Sequence, residues 1–130
     1  MLKIGELKQG DIVKVNDEGV EREGTVVRVS HEEHQALVNN GVQEFWYTQE
    51  EMEAVPLDES HLTQLGFERQ DMDGAEKYLK GPFRLITPLK GDFSNIEMWY
   101  REDRRHFSFP LGVHQLQNLH LDMTKVPLEV

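Results

Sequence analysis

Short strand patterns punctuated by turns, one capped helical segment near the middle and one apolar helical stripe near the end predict an α+β, mainly β fold. The expected architecture is an N-terminal SH3-like small barrel followed by an antiparallel β-meander packed by a C-terminal helix. The boundaries read as a barrel subdomain over residues 1–56, a linker helix over 57–66 and a meander-plus-helix subdomain over 67–130.

In the first part, the turn at Gly10-Asp11 leads into Ile12-Val13-Lys14-Val15, where Val13 and Val15 share one side of the pleat. Asn16-Asp17-Glu18-Gly19 reads as a turn. Gly24-Thr25-Val26-Val27-Arg28-Val29 then has the β-branched density of a second strand. Residues 35–38 and 42–47 flank Asn39-Asn40-Gly41, the signature of a hairpin. This spacing of short strands is what suggests a small barrel.

Beyond Val55-Pro56-Leu57, Asp58 is placed to cap a short helix that Gly66 stops, with Leu62 and Leu65 on one face. Phe67–Arg69, Lys77–Leu79, Phe83–Thr87, Ile96–Tyr100 and His106–Phe109 are strand candidates separated by Asp, Gly and Pro turns. From Val113 to Met123, Leu116, Leu119 and Met123 fall on one helical stripe with His120 at its edge. Pro127 ends the helical tendency and leaves Leu128-Glu129-Val130 to be extended or frayed.

Composition narrows the function classes. At 38% apolar and 29% charged residues, the 130-residue chain has the makeup of a folded soluble domain. Its apolar runs fall far short of the roughly 20 residues that cross a bilayer. The N-terminus lacks a secretory pattern, so a cytoplasmic protein without membrane contact is expected. With no cysteine, disulfides and thiolate metal sites are excluded. The net charge of −10 repels phosphate backbones and disfavours a nucleic-acid partner unless a basic patch opposes it. Acidity is greatest early, where residues up to Pro56 hold 5 basic and 12 acidic side chains.

Two stretches carry a resemblance: Val55-Pro56-Leu57 with Leu62 and Leu65-Gly66-Phe67, and His114-Gln115-Leu116-Gln117-Asn118-Leu119. Together with the opening Gly10-Asp11-Ile12-Val13, they resemble a group of small proteins of Bacteroidetes bacteria and their phages. Members of that group open on a G-D/N-x-V segment, pass through an I-P-L…L…G-F linker and finish on an H-Q-L-Q-N-L helix. This chain departs from the group at Thr124-Lys125-Val126-Pro127, where relatives more often have Thr-Gly-Glu-Glu. The resemblance implies a phage-related setting and no particular activity.

Candidate chemistry is sparse. His31-Glu32-Glu33-His34 places two imidazoles three residues apart, a spacing that serves one cation only on a helix; a solvated turn is the simpler reading. His114, with Gln115, Gln117 and Asn118, can brace the last helix or form a hydrogen-bonding surface. Ser30, Ser60, Ser94 and Ser108 lie in no nucleophile motif, and no phosphate-binding glycine loop occurs. In Phe45-Trp46-Tyr47, Trp46 faces away from its neighbours and is a candidate binding residue. Trp99 and Tyr100 followed by Arg101, Arg104 and Arg105 form the best nucleic-acid candidate, with Glu102 and Asp103 interleaved.

The candidate binding set is therefore Trp46, Trp99, Tyr100, Arg101, Arg104, Arg105, His114, Gln115 and Asn118, with no catalytic residue, metal ligand or cofactor assigned. A non-catalytic interaction module with a protein partner is the leading expectation. The alternatives are a nucleic-acid-associated accessory protein of a phage or mobile element, and a metal-binding protein or small enzyme using His31 and His34.

Overall fold

The computed structural model describes residues 2–130. The chain forms two compact units. The first runs through Val55 and takes in Gly112–Gln115 and Glu129; the second comprises Pro56–Leu111, Leu116–Leu128 and Val130.

In the first unit a 3-10 turn at Ile4–Glu6 precedes strands β1 (Ile12–Asp17), β2 (Val20–Ser30), β3 (Gln35–Asn39), β4 (Glu44–Thr48) and β5 (Met52–Ala54). They make one antiparallel sheet in the order β4-β3-β2-β1-β5. Asn16-Asp17-Glu18-Gly19 forms the β1–β2 turn, in which the Asn16 side chain accepts the Gly19 amide at 2.8 Å. A bulge between Val26 and Arg28 shifts the β2–β3 register. Val13, Val15, Val26, Ala36, Val38, Tyr47 and Met52 bury one face, joined by Leu2, Ile4 and Leu7.

The small barrel expected from the sequence is found as a five-stranded sheet that does not close. β4 and β5 are the edges of the sheet among the described residues, and no ladder joins them. β5 has three residues, leaves a 3-10 turn at Gln49–Glu51, and pairs only with β1, through Val13–Ala54 and Val15–Met52. A strand that short completes one ladder and leaves the sheet open.

The second unit contains helix α1 (Glu59–Gln64) and strands β6 (Glu68–Met72), β7 (Ala75–Lys80), β8 (Phe83–Thr87), β9 (Ile96–Tyr100) and β10 (Asp103–Phe107). The strands form a simple antiparallel meander in chain order. Asp58 caps α1 by accepting the His61 amide at 2.9 Å, and Gly66, at φ +92°, ends it in the left-handed region. The last strand begins earlier than expected. Arg101, at φ +57°, allows a two-residue turn, so β10 starts at Asp103 and ends before Phe109.

Helix α2 spans Val113–Thr124; its residues after Gln115 belong to the second unit. There its buried positions are Leu116, Gln117, His120 and Met123, while Leu119 is only half-buried. Two polar residues thus occupy positions that an apolar stripe would fill. Both are held by backbone carbonyls: Gln117 Nε2 donates to Leu128 O at 2.9 Å, and His120 Nδ1 lies 2.8 Å from Val126 O. These bonds keep the tail down, and Leu128 is fully buried rather than frayed. His120 also stacks on Phe83 with ring centroids 4.8 Å apart, so it is a packed histidine.

Two outcomes test this packing. Leu116→Ala should lower the unfolding free energy by about 2–5 kcal/mol in urea titration, because the side chain is fully enclosed. Gly24→Ala should also destabilise, by about 1–3 kcal/mol, since its Cβ would meet Val38 Cγ1 at 2.6 Å and the Asn39 carbonyl oxygen at 2.7 Å.

Candidate functional site

Each unit offers one surface with the makings of a site. In the first unit a pocket of about 550 Å3 is lined by Leu2, Met52 and Ala54 together with Glu6, Glu50, Glu53 and His114. Gln49 and Gln115 complete its wall. The strand β5 and the 3-10 turn before it bring Met52, Glu53 and Ala54 to the pocket, and Thr48 and Glu51 form a capping box that sets that turn. Val113 N donates to Val55 O at 2.8 Å, which places His114 and Gln115 beside β5.

His114 is almost wholly buried, and its Nε2 stands 3.3 Å from Glu6 Oε2. Gln115, not His114, closes the helix start: its Oε1 accepts the Gly112 amide at 2.7 Å. That leaves Gln115 a structural role at the pocket edge. Asn118 is half-buried and does not line the pocket. Among the described residues that line the pocket there is no hydroxyl or thiol nucleophile; its chemistry is apolar wall plus carboxylate rim.

In the second unit the predicted aromatic and basic cluster separates. Alternation along β9 sends Trp99 and Tyr100 to opposite faces. Arg105 lies on the core-facing side of β10, where it binds Asp103 and, at 3.1 Å, Asp122; the Asp103 bond is the main cause that raises its already high pKa. Arg101 sits in the β9–β10 turn with its guanidinium 5.1 Å from the Tyr100 ring centroid. Only Trp99 and Arg104 remain together on the outer face, directly paired across β9 and β10, with the Arg104 guanidinium 4.3 Å from the Trp99 centroid.

The ladder adds a residue that sequence reasoning missed. Arg84 of β8 pairs with Trp99 from the other side, so Arg104, Trp99 and Arg84 form one row across three strands. Its signal in the sequence was only an outward position in Phe83–Thr87, which acquires meaning once the register is known. Trp46 of β4 is likewise half-buried, under the Arg28 guanidinium at 5.4 Å from its centroid, while Tyr47 is buried and takes the Asn40 side-chain amide at 2.9 Å.

A third cluster, also missed, runs from exposed residues to two buried ones, Glu76 and Tyr78. Arg69 binds Glu59, Asp71 and the buried Glu76, and the Tyr78 hydroxyl donates to Glu76. Burial, reinforced by that bond, raises the Tyr78 phenol well above its usual range. These groups satisfy one another and brace β6 against β7.

His31 and His34 lie exposed in the β2–β3 turn, with His34 at φ +55°, so the pair is not on a helix. Among the described residues no group of three or more His, Asp or Glu side chains is placed to hold a metal ion. No helix among them is long and apolar enough to cross a membrane.

No protein-family model, curated protein or solved structure matches this chain.

Gln115→Ala should cost about 0.5–1 kcal/mol by exposing the Gly112 amide, whereas Gln115→Glu should keep that bond. Thermal unfolding of the two variants beside the parent chain checks it.

Proposed function

We propose that this protein is a non-catalytic interaction module in which an SH3-like first unit receives a basic side chain of a protein partner. The observation that carries this reading is the pocket whose apolar walls, Leu2, Met52 and Ala54, meet a rim of Glu6, Glu50 and Glu53. A lysine or arginine side chain has the matching character: a hydrocarbon stem that gains by leaving water and a cationic head that gains by meeting carboxylates. The chain's net charge of −10 draws such a partner from a distance. Glu53 is shared with Lys14 at 3.7 Å, a weak exposed pair that an incoming cation can displace. The strand order, with β5 beside β1 after a 3-10 turn, supports the SH3-like description. The resemblance to phage-associated proteins is consistent with a small adaptor, and a cytoplasmic setting completes the proposal.

Anisotropy of a labelled peptide carrying lysine and arginine checks this reading. Binding is expected to weaken as salt rises, and the Glu6→Gln/Glu50→Gln/Glu53→Gln variant should lose about tenfold in affinity or more, at about 0.5–1 kcal/mol for each carboxylate. A folded triple variant that binds the peptide as well as the parent chain rules the pocket out. Recovery of the chain from its native host always as a bare monomer counts against a stable partner.

A further inference from the structure

We infer that the outer face of the second sheet is a binding surface for single-stranded nucleic acid, independent of the pocket in the first unit. The register sets Arg104, Trp99, Arg84, Leu79 and Glu68 in one row across β10, β9, β8, β7 and β6. The adjoining row is His106, Glu97, Ile86, Lys77 and Gln70. The face thus holds three full cations, Arg84, Arg104 and Lys77, against two carboxylates, Glu68 and Glu97, around one half-buried indole.

The arginines on the two sides of the sheet are partnered differently. On the opposite side of the same sheet, Arg69 has three carboxylates and Arg105 two. Among the described residues Arg84, Arg104 and Lys77 form no ion pair. Arg84 donates instead to the carbonyls of Gly81 and Phe83, and Arg104 stacks on Trp99. In a chain with 24 acidic and 14 Lys and Arg side chains, cations left without carboxylates are positioned for an anion from outside.

The occupant follows from the shape of the charge. A guanidinium lying on an indole is a flat cationic stack, and a nucleobase continues it by stacking while its phosphates meet the flanking cations. Ile86 is buried at the centre of this face, and the half-buried Trp99 and exposed Arg104 lie toward its β10 edge. An aromatic so placed suits unpaired bases, whose π-faces are free, whereas a duplex keeps its own stacked. An acidic polypeptide supplies the charge but no planar partner for the Arg104–Trp99 stack, which makes it the competing outcome.

The experiment uses the full chain with Trp46→Phe, so that Trp99 is the sole indole, titrated with a labelled oligothymidylate and separately with polyglutamate. The oligonucleotide should bind at low salt and quench Trp99. Its affinity should fall with a log–log salt slope of about −2, as expected for three phosphate contacts on a single strand. Arg84→Ala and Arg104→Ala should each weaken binding, and Trp99→Ala should do so by about tenfold. Arg104→Lys keeps the charge and should restore the salt slope but not the quenching. Circular dichroism confirms that each variant is folded, and the Glu6→Gln/Glu50→Gln/Glu53→Gln variant should bind the oligonucleotide like the parent. Absence of oligonucleotide binding at low salt overturns the inference. So does polyglutamate binding with equal affinity and equal quenching, which assigns the face to an acidic polypeptide.

Discussion

Backbone hydrogen bonds between neighbouring antiparallel strands hold Val15 opposite Arg22, and Trp99 opposite Arg104, and the pleat sends the next residue of each strand to the other side. This two-residue alternation decides which face of its sheet each strand residue joins. It buries Val13, Val15 and Met52 together in the first sheet, and it assembles the outer row of the second from residues far apart in the chain. A one-residue slip between β9 and β10 would exchange Arg104 for Arg105 on the outer face and bring Arg105's carboxylate partners into question.

The polar groups in the interior show how that arrangement is held. Glu76 is buried because Arg69 and Tyr78 satisfy it, and Asp11 is buried against the Lys8 amide and ammonium, the latter at 2.6 Å. Gln117 and His120 take the places of apolar residues on the second half of α2 and pin the C-terminal segment by its carbonyls. Such groups cost desolvation and yield little net stability. Their effect is to specify one arrangement, since any alternative packing would leave a buried donor or acceptor without a partner.

The two surfaces divide the protein's charge between them. The pocket of the first unit joins carboxylates to apolar walls and suits a cation with a hydrocarbon stem. The outer face of the second unit joins unneutralised cations to an indole and suits a planar anion. A uniformly acidic protein would present only the first. Carboxylates taken up by Arg69 and Arg105 leave the outer face with a small excess of cations, three against two, in a chain of net charge −10.

Local sequence determined most of the elements. The Asp58 cap, the Gly66 stop, the Asn40-Gly41 hairpin, strands β8 and β9 and the helix from Val113 each follow from signals within a few residues, because turns, caps and pleats are short-range physics. Tertiary structure alone decided that β5 pairs with β1 and leaves the first sheet open, that Gln117 and His120 rather than Leu119 fill the buried stripe, and that Leu128 is held inside. It also broke Trp99, Tyr100, Arg101, Arg104 and Arg105 into separate environments and recruited Arg84 to the outer row. Those outcomes depend on which strands become neighbours and in what register, a property of pairs of distant segments that no single stretch of chain encodes.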